Sequence, residues 1–177
     1  TASADRYEGF KAALEEAGVS LDVALDQQGY YTYRSGLEAS EKLLSLRHPP
    51  TAIFASNDDM ASAVVSVAHR QGLAVPRDLS VVGFDDTSAA TMVWPELTTI
   101  HQPIASMADT AIDILLRAVR RKDGSARVVV NHVVPHQLVT RDSVAPLELA
   151  NRETAAKQVT GIRPKAASRP DRHSAPR

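Results

Sequence analysis

Two adjacent carboxylates, Asp85 and Asp86, directly follow a short apolar run and are well placed to act on a ligand. The run, residues 79–84, is rich in β-branched residues and follows a turn at residues 75–78, so it is predicted to be a buried strand of a parallel sheet. Ligands of open α/β sheets bind at the carboxyl ends of strands, which makes Asp85 a candidate hydrogen-bond acceptor. Either carboxylate could instead cap the following turn, and this alternative is stronger for Asp86.

A catalytic role for the two carboxylates is disfavoured by their spacing. Neighbouring side chains on a strand point to opposite sides, so Asp85 and Asp86, even with His101 nearby, do not suit acid–base work on one bond. The sequence has no Gly-x-Ser-x-Gly motif and no phosphate-binding loop. His132 and His136 are four residues apart but on predicted strands, which disfavours a metal site. We therefore expect a binding protein and not an enzyme, with no metal and no cofactor.

Other polar and aromatic residues are predicted to reach the same edge of the sheet. Asn57 directly follows another predicted strand, as Asp85 does. Arg6 lies in the first turn of a predicted helix, where a cation is unfavourable unless a bound anion or a carboxylate offsets it, although it could also simply face solvent. Three of the four tyrosines, Tyr31 among them, fall within residues 30–33. A ring there could stack on a flat ligand or a sugar face, or it could simply cover the next helix.

Helices and strands that could position these residues alternate along the chain. Apolar periodicity with glycine and proline stops predicts helices over residues 5–17, 35–46, 58–71 and after Pro103, strands over 23–25, 51–55 and 79–84, an extended crossing at 97–102, and a last pair of strands drawn from 128–130, 133–134 and 138–139. Ser56 and Asp59 have the spacing of a capping box for the third helix. This order predicts an α/β fold with a parallel sheet.

Composition and charge divide the chain into two parts. The absence of cysteine excludes disulfides, and no apolar run is long enough to span a membrane. Residues 1–150 carry 13 Lys/Arg and 19 Asp/Glu, a net charge of −6, whereas residues 151–177 carry 7 and 2, a net charge of +5. The acidic part offers no broad basic face to nucleic acid, and the basic, proline-containing end is predicted to be disordered.

Five motifs occur in an order and spacing that resemble the effector-binding domain of the lactose-repressor/galactose-repressor (LacI/GalR) transcription regulators. They are Arg6-x-x-Gly9-Phe10, residues 50–58, residues 75–86, residues 95–103 and Leu138-Val139-x-Arg141-x-Ser143. The resemblance covers residues 1–146, and residues 147–177 form the predicted tail. It implies a type I periplasmic-binding-protein-like fold, in which two α/β subdomains enclose a ligand cleft.

The resemblance further implies that this chain holds mainly the C-terminal subdomain and an incomplete first subdomain. A helix-turn-helix, a hinge helix and most of the first subdomain would precede Thr1. We therefore expect the helix after Pro103 to lack part of its packing surface, and one wall of the cleft to be absent from the chain.

Ligand contacts follow from the resemblance position by position. Asp85 corresponds to the family's acidic ligand contact, Arg6 to the arginine that donates to the ligand, and Asn57 to the amide of the cleft. Tyr31 falls where the family often has a stacking aromatic residue, and Gln102 falls on the crossover between subdomains. An acid, a forked donor, an amide and an aromatic ring are together what a buried sugar requires. Asp86 is left as the structural partner of the pair.

The function implied is that of a transcription regulator, which we expect to be a repressor. A small-molecule effector, a sugar or another metabolite, would change the angle between the subdomains and thereby the affinity for operator DNA. The intact protein would be a cytoplasmic homodimer with no membrane partner. A transport-linked periplasmic sugar-binding protein of the same fold is the alternative. His101 and Ile104 depart from the residues common at their positions in the family, and these departures leave the class of effector open.

Overall fold

Helices and strands alternate through most of the chain, and the predicted α/β class is confirmed. The computed structural model describes residues 2–120 and 131–146. The elements are α1 (Ala2–Glu16), a single 3-10 turn (Val23–Leu25), α2 (Tyr33–Leu44), β1 (Ala52–Phe54), α3 (Asp58–Arg70), β2 (Ser80–Val82), α4 (Ala89–Met92), β3 (Thr99–His101), α5 (Ile104–Arg120) and β4 (Gln137–Val139). None of the helices in these residues has the length and apolar character needed to cross a bilayer.

The strands β1, β2 and β3 are short, and the loops that follow them begin at the same edge of the sheet. β1 and β2 are parallel, with Ile53 opposite Val81. The segment leading into β3 runs along the other side of β2, where the Gly83 N–H donates to the Thr98 carbonyl at 2.9 Å. β4 pairs antiparallel with β3. Because β1, β2 and β3 run in the same direction, the residues that follow them lie at a common edge of the sheet, as predicted for Asp85 and Asp86.

Helix α3 forms the centre of the core. Its apolar face is buried by α2 and by the sheet, and its almost fully buried apolar side chains are those of Ala61, Ala63, Val64, Val65, Val67 and Ala68. Gly36 of α2 allows the two helices to approach closely, because a Cβ there would lie 2.7 Å from the Met60 Cα. This packing fixes the start of α3, and therefore the loop that precedes it.

Helices α1 and α5 contrast with this core, since neither contains a buried residue. The apolar stripe predicted after Pro103 is present on α5, but Leu115 is 63% exposed and Val119 is 79% exposed. This confirms the expectation that the helix lacks part of its packing surface.

The strand predicted at residues 23–25 is wrong. The Asp22 side chain accepts a hydrogen bond from the Ala24 N–H at 2.9 Å, and the Leu25 N–H donates to the Asp22 carbonyl. These local bonds satisfy the backbone in a 3-10 turn and compete with strand pairing, as aspartate often does.

The last predicted pair of strands also needs correction. Within residues 131–146, the described part of this region, only Gln137–Val139 forms a strand, and its partner is β3 and not the segment at Val133 and Val134. Residues 128–130 and the predicted tail from residue 147 lie outside the described residues. The start of α2 lies two residues earlier than predicted, because Thr32 caps the helix and forms a capping box with Ser35.

Candidate functional site

Asp85 lies at the carboxyl end of β2 and accepts two side-chain hydrogen bonds. Arg6 Nη2 donates to Oδ1 at 3.1 Å, and Gln102 Nε2 donates to the same oxygen at 2.6 Å. The Asp85 N–H donates to the Ile100 carbonyl at 2.9 Å, which aligns the crossover segment with the end of β2. Three of the residues predicted for the site are thus in direct contact, although they are separated by up to 96 positions in sequence.

Arg6 is the most tightly held member of this group. Its Nη1 donates to the Ser56 carbonyl at 2.6 Å, and its guanidinium carbon lies 3.9 Å from the centroid of the Phe84 ring. The Tyr31 ring is also close to the Arg6 side chain, with 5.7 Å between the guanidinium carbon and the ring centroid. Because α1 begins at Ala2, three residues earlier than predicted, Arg6 lies just beyond its first turn, where the helix dipole has little effect, and Asp85 is its ion-pair partner.

Two of these contacts were missed by the sequence analysis. Phe84 presents a ring face to Arg6, and the main chain of Ser56 supplies an acceptor. Phe84 could have been found from its place immediately before Asp85, since an aromatic ring beside a forked cation is a common pairing. A backbone carbonyl gives no comparable signal in sequence.

Burial and pairing with neighbouring donors shift the pKa of Asp85 in opposite directions. Burial raises the pKa of the carboxyl above its ordinary value, while the positive charge of Arg6 and the hydrogen bond from Gln102 partly oppose the shift. Both hydrogen bonds fall on Oδ1, and in the described part of the chain Oδ2 accepts none. The side chain is 26% exposed, so Oδ2 is an acceptor that a ligand hydroxyl could reach.

Tyr31 and Asn57 form a second contact beside this group. Asn57 is buried, and its Oδ1 accepts from the Met60 N–H at 3.0 Å, which makes it the N-cap of α3. Its Nδ2 donates to the Tyr31 carbonyl at 3.2 Å. The capping box predicted from Ser56 and Asp59 is therefore wrong, because Asn57 occupies the capping position between them. Tyr31 has a left-handed backbone, with φ of +59°.

Asp86 faces a different set of partners. Arg141 Nη2 donates to its Oδ1 at 2.6 Å, and His101 Nδ1 lies 3.0 Å from its Oδ2. Burial by itself would raise the pKa of Asp86, but the hydrogen bonds from Arg141 and His101 outweigh it and hold the pKa below its ordinary value. Arg141 also donates to the Leu97 carbonyl at 2.8 Å. Asp86 thus ties the C-terminal segment to the crossover, which is the structural role expected of it.

A third carboxylate, that of Asp58, connects the start of α3 to β3 and to the loop after Asp86. It is fully buried in the first turn of α3, where the helix dipole favours an anion. The Thr99 hydroxyl donates to Oδ1 at 2.6 Å and the Thr87 N–H donates to Oδ2 at 2.7 Å. Gly83 leaves room for this carboxylate, because a Cβ at that position would collide with it.

A cavity of about 320 Å³ lies nearby, between α1, α2, β1 and the loop before α2. Tyr31 and Ser56 line it, but Arg6, Asp85 and Gln102 do not. The converging polar groups therefore lie outside this cavity, at the open edge of the sheet, and the chemistry of the site is better judged from them.

Comparison with known proteins agrees with this architecture. Residues 1–144 match the family model of the periplasmic binding protein-like domain. The chain is 42% identical over 147 residues to the HTH-type transcriptional regulator DegA of Bacillus subtilis, an alignment that covers 83% of this chain and 42% of DegA.

Two solved structures show the same fold. The transcriptional regulator CelR in complex with cellobiose matches with a TM-score of 0.73 and 32% identity, over 79% of this chain and 42% of that one. A LacI family transcriptional regulator from Enterococcus faecium with bound ribose matches with a TM-score of 0.68 and 29% identity, over 81% of this chain and 52% of that one. The chain spans about half or less of the length of these relatives. It belongs to the periplasmic-binding-protein-like domain family, in the branch formed by the LacI-type transcriptional regulators.

Proposed function

We propose that this chain is the effector-binding part of a DNA-binding transcriptional regulator and that its effector is a sugar or a similarly hydroxyl-rich metabolite. The observation that carries the proposal is the convergence of Arg6, Asp85 and Gln102 at one edge, with Tyr31 beside them. Relatives of this chain with bound cellobiose and bound ribose support the same class of ligand.

Polyol chemistry suits the groups on offer. A ligand hydroxyl would donate to the open Oδ2 of Asp85, and the remaining N–H groups of Gln102 and Arg6 would donate to ligand oxygens. The ring of Tyr31 would cover the apolar face of a sugar. Because Arg6 already compensates the charge of Asp85, a neutral ligand would leave no buried charge unpaired.

In the regulator we propose that the bound effector contacts both subdomains and stabilises one angle between them, which changes the affinity for operator DNA. The regulator would act as a homodimeric repressor in the cytoplasm and contact DNA through a helix-turn-helix. DegA and CelR are transcriptional regulators, which favours this function over that of a transport-linked binding protein. The basic residues beyond position 147 would form a separate extension and not a part of the binding domain.

The proposal is tested with the full-length regulator and DNA from its own promoter region. Operator binding is followed by fluorescence anisotropy while cellobiose, D-ribose and a panel of other neutral sugars are added, and direct sugar binding is measured by calorimetry. We expect at least one sugar to bind and to shift the operator affinity by about tenfold, the scale of a typical allosteric coupling. Failure of the whole panel and of a cell-extract metabolite pool to alter DNA binding would contradict the proposal.

A further inference from the structure

The guanidinium of Arg6 is held at its edge by two acceptors. Its Nη1 donates to the Ser56 carbonyl at 2.6 Å, and its Nη2 donates to Asp85 Oδ1 at 3.1 Å. These bonds use two of the five N–H donors that an arginine side chain carries in one plane. Because the N–H bonds lie in that plane, two such hydrogen bonds still allow the plane to turn about the line that joins the two acceptors.

The face of the same guanidinium is in contact with Phe84. The guanidinium carbon of Arg6 lies 3.9 Å from the centroid of the Phe84 ring, compared with 5.7 Å from the centroid of the Tyr31 ring. The quadrupole of an aromatic ring attracts a cation that lies over its face, and a ring in contact with a planar cation opposes rotation of that plane. Phe84 therefore restrains the motion that the two hydrogen bonds leave open.

The backbone that carries the Phe84 ring is fixed on both sides. The N–H groups of Gly83 and Asp85, the residues before and after it, each donate to a carbonyl of the crossover segment at 2.9 Å. Arg6 comes instead from α1, which contains no buried residue, so the packing of its own helix restrains it less. The ring is thus the firmer of the two partners and can set the orientation of the other.

We infer that Phe84 is a positioning residue for the ligand site. Its ring fixes the plane of the Arg6 guanidinium, and thereby the direction in which the remaining N–H donors of Arg6 meet ligand oxygens. The effect of Phe84 on ligand affinity rests on the proposed function, whereas its effect on Arg6 does not require a ligand.

Three substitutions separate the aromatic face from the apolar bulk of the side chain. Phe84→Tyr keeps the ring, whereas Phe84→Leu and Phe84→Met keep much of the apolar volume without a ring face. In crystal structures of the sugar-free, full-length regulator, we expect the tyrosine variant to retain both hydrogen bonds of Arg6. The leucine and methionine variants should show the guanidinium rotated and at least one of these bonds lost. Wild-type placement of Arg6 in either variant would overturn the inference, and one of the two suffices if the other does not fold.

Calorimetry with cellobiose and D-ribose then tests the effect on affinity. Phe84→Leu should weaken binding about tenfold and Phe84→Tyr by less than about twofold, because only the first removes the ring. Arg6→Lys keeps the positive charge but not the planar fork, so adding Phe84→Leu to it should cost less than about twofold. A tenfold loss in both backgrounds, or wild-type affinity in the leucine variant, would overturn the inference.

The two levels of the proposal can fail separately. If neither sugar binds the wild-type regulator, the result counts against the proposed function, and the placement of Arg6 in the sugar-free crystal structures still decides the role of Phe84. The same structures decide that role if the Arg6→Lys regulator binds neither sugar.

Discussion

Asp85 and Asp86 are neighbours in sequence, of the same residue type and both with a positive φ, yet they have different environments. Asp86 uses both carboxylate oxygens, one for Arg141 and one for His101. Asp85 uses a single oxygen for both of its donors and leaves the other open. The pair shows that two neighbouring strand-end carboxylates can differ in how many of their oxygens the protein itself occupies.

The two carboxylates also connect different parts of the chain. Asp86 joins the crossover to a segment near the C-terminal end of the domain through Arg141, whereas Asp85 joins α1 to the crossover through Arg6 and Gln102. The first connection holds the fold, and the second forms the candidate site.

The largest effect on stability is expected from Asp86→Ala. The change removes the shorter of the two ion pairs of Arg141, which is 17% exposed, and leaves it with Glu96 Oε2 at 3.6 Å; we expect a loss of about 2 kcal/mol in the free energy of unfolding once partial exposure is allowed for. Urea unfolding of the full-length regulator measures it. Asp85→Ala, the matched variant, should cost less than about 1 kcal/mol, because burial already disfavours its charge. Equal losses would remove the distinction between the two positions.

A smaller loss of stability is expected from Ser143→Ala. Ser143 also connects the C-terminal segment to the sheet through hydrogen bonds, which the change removes. Ser143 is fully buried, donates to the Val81 carbonyl at 2.6 Å and accepts from the Thr98 N–H at 2.8 Å. Leaving both backbone groups unpaired should cost about 1 to 2 kcal/mol in urea unfolding. Ser45→Ala, at an exposed helix end, is the control and should change stability by less than about 0.5 kcal/mol. A Ser143 variant as stable as the control would show that this tie is not needed.

The pH dependence of stability should have opposite signs at the two carboxylates. The pKa of Asp86 is lowered, so its contribution is present above its unfolded value near 3.8 and is lost as the pH falls through the folded pKa. The pKa of Asp85 is raised, so the stability it contributes is present below 3.8 and is lost as the pH rises through the folded pKa.

Urea unfolding from pH 6 to pH 3 measures this difference. As the pH rises, Asp85→Asn should become more stable relative to the wild type, and Asp86→Asn should become less stable relative to it. Parallel curves for the two variants would contradict the assignment of their environments.

The smallest effect is expected at an ion pair outside both networks. Arg70 Nη2 and Glu41 Oε1 are 2.9 Å apart, but both side chains are more than half exposed. Arg70→Ala should therefore change the free energy of unfolding by less than about 0.5 kcal/mol in urea unfolding. This variant provides the baseline for the Asp86 network, and a loss comparable with that of Asp86→Ala would show that exposure does not separate the two pairs.

Strong local patterns predicted much of the fold from sequence. The long apolar periodicity of α3 and the short apolar runs that contain β1 and β2 were sufficient, because their burial matches their pattern. The segment at residues 23–25 has an equally apolar composition, but the Asp22 side chain bonds to its backbone and a turn forms. A hydrophobic pattern does not reveal hydrogen bonds of this kind, in which a side chain binds the neighbouring backbone in place of a strand partner.

The proximity of Arg6, Asp85 and Gln102 could be predicted from the sequence, but the individual hydrogen bonds could not. The resemblance pointed to Arg6, Asp85 and Gln102, which the fold brings into contact. The partners of Asn57 could not be predicted, since its cap and its bond to Tyr31 depend on the exact geometry of two loops. Which oxygen of each carboxylate is occupied likewise depends on tertiary geometry.

The most direct test of the central claim compares Asp85→Asn with Asp86→Asn for sugar binding by the full-length regulator, at a temperature where both variants are folded. Calorimetry with the sugar that shifts operator binding gives the affinities. Our account predicts that Asp85→Asn weakens binding about a hundredfold, a cost of about 2.7 kcal/mol, and that Asp86→Asn changes it by less than about threefold. Wild-type affinity in the Asp85 variant would contradict the claim that its open carboxylate oxygen receives the effector.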